Sequence, residues 1–155
     1  MIRPAADGDV PAIAAIWNQI IRETTITFTT AEKTHADIEG ILGSGYPVLM
    51  LEDGSGFATY GPFRSGPGYA RTMEHSIHLA PGARGQGRGM ALLTALEAAA
   101  VDGGAAVFIA AISGENATAQ RFHARAGYAQ VARLPKVGWK FGRWHDLVLM
   151  QKFLP

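Results

Sequence analysis

The sequence predicts a single α/β domain in which helices flank a mixed central sheet. The apolar run Ala105–Ile112 has the composition of a strand buried on both faces. Patterns typical of helices precede and follow it, at Gly87–Asp102 and Asn116–Ala126. Further strands before and after these helices complete a β–α–β–α–β order, and a chain of 155 residues fits one domain.

The first third of the chain is predicted to hold a short strand, two helices and a loop. Asp7 is a candidate N-cap, because apolar residues recur at helical spacing from Val10 to Ile21. The β-branched segment Thr24–Thr30 disfavours a helix and is predicted to be an extended loop. The other elements here are strand Ile2–Pro4 and a second helix that Thr34 caps and that ends at Leu42.

Strands and helices alternate through the rest of the chain. A turn at Asp53-Gly54-Ser55 predicts a hairpin of Tyr46–Glu52 and Gly56–Gly61. On the long strand that follows, alternation puts Glu74 and His78 on one face and the odd-numbered residues on the other. The predicted elements are then strand Tyr69–Leu79, helix Gly87–Asp102, strand Ala105–Ile112, helix Asn116–Ala126 and strands Tyr128–Leu134 and Leu147–Phe153.

Charge and composition exclude several functional classes. Lys and Arg number 14 and Asp and Glu number 13, so the net charge of +1 predicts no nucleic-acid or anionic-membrane partner. The absence of Cys excludes a disulfide scaffold, a thiolate zinc site and a cysteine nucleophile. No targeting segment and no apolar stretch of the ~20 residues that span a bilayer is visible, so a cytoplasmic location is predicted.

The glycine-rich segment Pro81–Met90 joins the long strand to the next helix. Free N–H groups and the helix dipole at the start of a helix favour an anion. Glycines at 85, 87 and 89 let the backbone approach a ligand closely, and Arg84 and Arg88 add positive charge. A diphosphate is the predicted ligand, and a flexible connection that binds nothing is the alternative.

Two other phosphate-binding loops are excluded by their spacing. A Walker A loop requires Lys followed by Ser or Thr after its last glycine, and neither occurs here. A dinucleotide-binding fingerprint, G-x-G-x-x-G, requires a third glycine at the position where this chain has Met90.

The segment Arg84-Gly85-Gln86-Gly87-Arg88-Gly89 resembles the Q/R-x-x-G-x-G/A signature of the GNAT N-acetyltransferases, which holds the pyrophosphate of coenzyme A. Further motifs follow the order of the phosphinothricin/methionine sulfoximine N-acetyltransferase branch. They are Thr72–Ile77, Gly114–Ala117, Phe122-His123 with Gly127-Tyr128, and Lys140–Asp146. The resemblance covers nearly the whole chain. It implies a GNAT-like fold in one domain over residues 1–155, with acetyl-CoA as co-substrate.

The resemblance also implies which residues contact acetyl-CoA. Backbone groups of Ile77, His78 and Leu79 would bond the pantetheine arm, as an added strand would. The pyrophosphate would be held by Arg84, Gly85, Gln86, Gly87, Arg88 and Gly89. Asn116 would reach the arm near the thioester.

Glu74 is the candidate catalytic base. An ammonium group has no lone pair, so an acceptor amine must pass a proton to a nearby group, directly or through water, to attack a carbonyl. Glu74 matches the acidic residue that this branch carries in the same strand, and an exposed strand glutamate or one paired with Arg71 is the alternative. Since a chain without Cys forms no acyl-cysteine intermediate, direct transfer in a ternary complex is predicted.

Two further residues are catalytic candidates by resemblance. His123 matches a histidine near the reaction centre of this branch, and Tyr128 matches a position where many GNAT enzymes keep a tyrosine that protonates the leaving thiolate. A histidine satisfied within its helix and a core tyrosine are the alternatives. No metal site is predicted, because His75 faces away from Glu74 and His78 and leaves two ligands where a catalytic zinc needs three.

The relatives in this branch acetylate small α-amino acids with an oxygen-bearing tail, and they are commonly homodimers. The candidates for holding such a substrate, beside Glu74, are Arg64, Arg71, Lys140 and Arg143, and solvated surface charges are the alternative. Trp139 and Trp144 are predicted to close the acceptor pocket or to lie in the core or a dimer interface. The alternative functions are a GNAT enzyme for peptide N-termini or polyamines and a non-catalytic acyl-CoA-binding domain.

Overall fold

The computed structural model describes all 155 residues, which form seven strands and four α-helices. No helix is both long and apolar enough to cross a membrane. The elements are β1 Ile2–Pro4, α1 Val10–Glu23, α2 His35–Leu42, β2 Val48–Leu51, β3 Gly56–Pro62, β4 Thr72–Leu79, α3 Arg88–Asp102, β5 Val107–Ser113, α4 Ala117–Arg125, β6 Ala129–Lys140 and β7 Arg143–Phe153.

One sheet with the strand order β1-β2-β3-β4-β5-β7-β6 runs through the molecule, with a hydrophobic core on each face. Leu92, Leu93 and Leu96 of α3 are fully buried in a cluster on one face. Ile13 of α1 and Ile38 of α2 are buried in a second cluster on the other. Only β4 and β5 pair in parallel, so the sheet is mixed. The predicted α/β fold with flanking helices is confirmed.

The two parallel strands stay together for only part of their length. β4 pairs with β3 as far as Leu79 but with β5 only at Thr72, Met73 and Glu74. β5 continues along β7 to Ser113. The strands therefore separate beyond Glu74, and we call the space between His75–Leu79 and Ala110–Ser113 the β4–β5 gap.

Most predicted elements are confirmed to within a few residues, but the start of α1 and the start of β4 were predicted wrongly. Asp7–Asp9 form a 3-10 turn, and the α-helix begins at Val10. Tyr69 belongs to a second 3-10 turn, so β4 begins at Thr72. In both places a short turn with local hydrogen bonds supplies the partners that a longer helix or strand would have supplied.

The last two strands are longer than the sequence predicts. Pro135 and Gly138 are typical of a strand end, but β6 continues to Lys140 because irregular pairing between Leu134 and Gly138 accommodates them. Phe141 and Gly142 then connect β6 to β7 with φ of 55° and 73°. Positive φ at both central residues is the geometry of a tight hairpin turn.

Candidate active site

The glycine-rich segment presents a row of free amides. The N–H groups of residues 85 to 90 have no hydrogen-bond partner in the protein, and the first amide bonded into α3 is that of Ala91, which donates to the Gly87 carbonyl at 3.1 Å. Gly85 and Gly87 have φ of 76° and 75°, in the left-handed region. Alternation of left- and right-handed residues turns successive N–H groups toward one point, which makes a concave anion site.

Side chains fix this segment to its surroundings. The Arg88 guanidinium donates to Asp53 at 2.5 Å and to the Ser55 hydroxyl at 2.8 Å, both in the β2–β3 turn. The Gln86 amide donates to the Gly82 carbonyl at 3.0 Å. Arg84 is exposed and only weakly held, at 3.5 Å from the Leu79 carbonyl. Of the two predicted cations, Arg84 is thus the one with a free head group.

The open end of the β4–β5 gap, at Leu79, is the end that leads along the chain to the free amides. The Ala80 N–H donates to the Ser55 carbonyl, so even-numbered residues of β4 bond to β3 and the backbone groups of Ile77 point into the gap. The His78 side chain packs against Trp17 and Phe57 on the α1 face. The edge available to an extended ligand is therefore the backbone of β4, as an added strand requires.

Glu74 lies at the closed end of this gap. It is the last β4 residue paired with β5, and its carboxylate is partly buried without a hydrogen-bond partner. Burial raises the pKa of Glu74 above its ordinary value. The alternative of an ion pair with Arg71 does not occur, because Arg71 is exposed and donates to the Gly104 carbonyl at 3.1 Å.

His123 is bonded at both ring nitrogens. Its Nδ1 lies 2.8 Å from the Ala119 carbonyl, an acceptor, so Nδ1 carries the proton and Nε2 accepts. The donor to Nε2 is His75 Nε2, at 2.9 Å. Burial lowers the pKa of both histidines, that of His75 to about 3. Two neutral rings thus connect α4 to β4 at the point where the gap opens.

Tyr128 is turned away from the gap. Its hydroxyl donates to Glu97 of α3 at 2.8 Å, and Glu97 also pairs with Lys152 at 3.0 Å. Burial and the neighbouring Glu97 raise the pKa of the Tyr128 phenol. The phenolic proton is therefore directed to the partly buried carboxylate of Glu97.

We expect Tyr128→Phe to lower the free energy of unfolding by about 1–2 kcal/mol, because Glu97 loses one of its two donors in a partly buried site. We expect kcat to change less than threefold, since the hydroxyl does not face the gap. Steady-state kinetics and denaturant unfolding measure the two effects. A hundredfold loss of kcat in a stable variant would instead show that Tyr128 protonates the leaving thiolate.

The remaining predicted residues lie at the edges of the gap or away from it. Asn116 is the N-cap of α4, where its side-chain oxygen accepts from the Ala119 N–H at 3.1 Å and its NH₂ stays free. The Lys140 side chain is only 1% exposed, and its ammonium donates to the carbonyls of Thr24 at 2.7 Å and Thr27 at 2.8 Å. Lys140 therefore holds a loop and has no free head group for a substrate carboxylate.

The structure also joins Glu115, Arg143 and His145, which sequence reasoning did not connect with one another. Arg143 donates to both carboxylate oxygens of Glu115, at 2.6 and 2.8 Å. His145 lies 2.7 Å from the same carboxylate and 2.8 Å from the Lys140 carbonyl. Hydrogen bonds from Arg143 and His145 lower the pKa of Glu115 to about 2. The Gly114–Ala117 and Lys140–Asp146 motifs each indicated one segment of this cluster, but neither motif indicated that the two segments meet.

Comparison with known proteins agrees with this geometry. The acetyltransferase (GNAT) family model matches residues 14–128. The L-methionine sulfoximine/L-methionine sulfone acetyltransferase of Pseudomonas paraeruginosa is 37% identical, over 97% of this chain and 92% of that protein. The phosphinothricin N-acetyltransferase of Alcaligenes faecalis is 36% identical, over 97% of this chain and 81% of that protein. The Salmonella typhimurium protein yncA, solved with its cofactor acetyl-CoA, superposes with a TM-score of 0.95 at 35% identity, over 100% of this chain and 94% of that one.

Proposed function

The chain belongs to the acetyltransferase (GNAT) family, and from this premise we propose that it transfers the acetyl group of acetyl-CoA to the α-amine of a small amino acid. The acceptor class is that of methionine sulfoximine, methionine sulfone and phosphinothricin, on which the named relatives act. The observation that carries the proposal is the continuous path from the free amides of residues 85 to 90, along the β4 edge, to the Glu74 carboxylate. One domain over residues 1–155 would hold the whole site.

The chain's own groups would hold the donor along this path. The amides of residues 85 to 90 and the exposed Arg84 suit the diphosphate, since both supply hydrogen bonds to oxygen anions. The Ile77 backbone suits the amide-rich pantetheine arm, and the free NH₂ of Asn116 would reach the same arm. When bound, acetyl-CoA supplies an acetyl group activated as a thioester.

Glu74 would take the proton of the acceptor amine, directly or through one water. The amine nitrogen then forms the new C–N bond, and the C–S bond breaks with release of the coenzyme A thiolate. A raised pKa makes Glu74 a stronger base than an ordinary carboxylate. His123 and Tyr128 would contribute to the shape of the site through His75 and Glu97, with their protons held as described.

An acceptor panel tests the function directly. Release of free thiol from acetyl-CoA is measured with methionine sulfoximine, methionine sulfone and phosphinothricin, and in parallel with peptides and polyamines. We expect turnover with the first group. Turnover only with peptides or polyamines would favour another GNAT substrate class, and donor binding without any turnover would favour an acyl-CoA-binding domain.

We also propose that the chain forms a homodimer through the end of the β6–β7 hairpin. Trp139, Phe141 and Trp144 lie together there, each 54–56% exposed, with the two indole rings 5.1 Å apart. Exposed aromatic clusters of this kind mark interaction surfaces. We expect the Trp139→Glu/Trp144→Glu double variant to halve the mass measured by light scattering, and a monomeric unmodified chain would refute the proposal. The predicted cytoplasmic location and the predicted absence of metal and nucleic-acid partners stay predictions.

A further inference from the structure

The loop between α1 and α2 crosses the open end of the β4–β5 gap. At its start, Thr24 lines a cleft of about 200 Å³ together with Leu79 and Arg84, at the end of β4. Four residues later, Phe28 stacks on the ring of His145 at 5.4 Å. His145 lies on β7 just beyond Leu147, the residue opposite the end of β5 at Ser113. The loop therefore spans from one arm of the gap to the other.

Lys140 fixes the loop in this position. Two of its ammonium protons are used by the carbonyls of Thr24 and Thr27, and the ring of Phe141 lies 5.1 Å from the nitrogen. No carboxylate pairs with this buried ammonium, although a buried charge without a counter-ion is costly. Burial correspondingly lowers the pKa of Lys140.

Phe28 is held from the opposite side by Gly138. A Cβ atom at position 138 would clash with the Phe28 ring, so glycine leaves room for the ring between β6 and His145. The Phe28 ring therefore lies between Gly138 and the ring of His145.

We propose that Lys140 is a positioning residue, which holds the α1–α2 loop across the β4–β5 gap so that the loop forms one wall of the amine-acceptor site with Phe28 setting its width. The inference rests on the proposed function for the identity of the ligand in that site. It replaces the predicted contact between Lys140 and the substrate carboxylate with an indirect effect through the loop.

The test measures the KM for the acceptor and the KM for acetyl-CoA separately. We expect Lys140→Met to raise the acceptor KM at least tenfold and to leave the acetyl-CoA KM within twofold, because no hydrogen bond joins the loop to the free amides of residues 85 to 90. Lys136→Met is the matched control, since Lys136 is an exposed lysine on the same hairpin. An unchanged acceptor KM in folded Lys140→Met, or an equal rise in both KM values, would overturn the proposal.

A double-mutant cycle tests the role of Phe28 in the acceptor site without a change at Lys140. Gly138→Ala displaces Phe28, so we expect it to raise the acceptor KM at least fivefold. In a Phe28→Ala background the added methyl group has room, and we expect no further change. Equal effects in both backgrounds would overturn the role given to Phe28.

Hydrogen exchange distinguishes failure of this inference from failure of the proposed function. We expect the amides of residues 24 to 30 to exchange at least tenfold faster in Lys140→Met, with α3 unchanged. If no amine is a substrate, the proposed function fails, while the exchange rates still decide whether Lys140 holds the loop. Unchanged exchange would show that it does not.

Discussion

Replacement of the Glu74 carboxylate by an amide is expected to lower kcat about 10²-fold or more at neutral pH. The amide keeps the size and polarity of the side chain but accepts no proton, and this is the usual scale for the loss of a general base. The acetyl-CoA KM should change little, because Glu74 lies at the far end of the gap from the free amides. Free-thiol kinetics with a good acceptor measure both constants for Glu74→Gln.

The pH dependence gives a second, independent readout. A base must be ionised to act, so kcat/KM should fall as the pH drops through the raised pKa of Glu74, above the range of an ordinary glutamate. Glu74→Gln should lack this acidic limb. The variant should not be less stable at neutral pH, because burial disfavours the ionised form that Gln removes.

Glu39→Gln, at an exposed position of α2, is the matched control and should keep the activity and the pH profile. An unchanged rate in Glu74→Gln would remove Glu74 from the role of base. A loss of activity caused by a loss of folding would also contradict the prediction. A neutral side chain is tolerated better than a charge in this partly buried place, so Glu74→Gln should fold.

A methyl group at Gly87 is expected to raise the acetyl-CoA KM at least tenfold, which corresponds to about 1.4 kcal/mol of binding free energy. Gly87 has a φ of 75°, where a residue with a Cβ atom is strained by about 1–2 kcal/mol. No atom lies within 4 Å of the added methyl group, so the loop is free to relieve the strain by rotating its peptide planes. That rotation turns the N–H groups away from their common point.

Gly45→Ala supplies the matched control for Gly87→Ala. Gly45 also has a positive φ, of 90°, and open space around its Cα, but it lies in the α2–β2 connection. Both variants should lose similar amounts of stability, and only Gly87→Ala should bind acetyl-CoA more weakly. Titration calorimetry with coenzyme A measures the difference, and equal affinity in the two variants would show that the amides do not hold the diphosphate.

Local patterns were sufficient to predict the central part of the fold. Helix α3, the buried strand β5 and the Thr34 cap of α2 depend on nearest-neighbour spacing, which the chain itself displays. The extent of β6 did not follow from such spacing, because Pro135 and Gly138 are accommodated by pairing with β7. Strand ends are decided by the partner strand wherever the local signal opposes them.

The same distinction applies to the site. The amino-acid sequence by itself determined the glycine-rich turn, with its free amides, and the face of β4 on which Glu74 lies, because both follow from backbone geometry over a few residues. Only the tertiary structure decided that the Tyr128 hydroxyl faces Glu97, 31 residues away, and that the Lys140 ammonium meets carbonyls 113 and 116 residues away. A side-chain head group takes whichever partner the fold brings within about 3 Å, and no pattern along the chain specifies that partner.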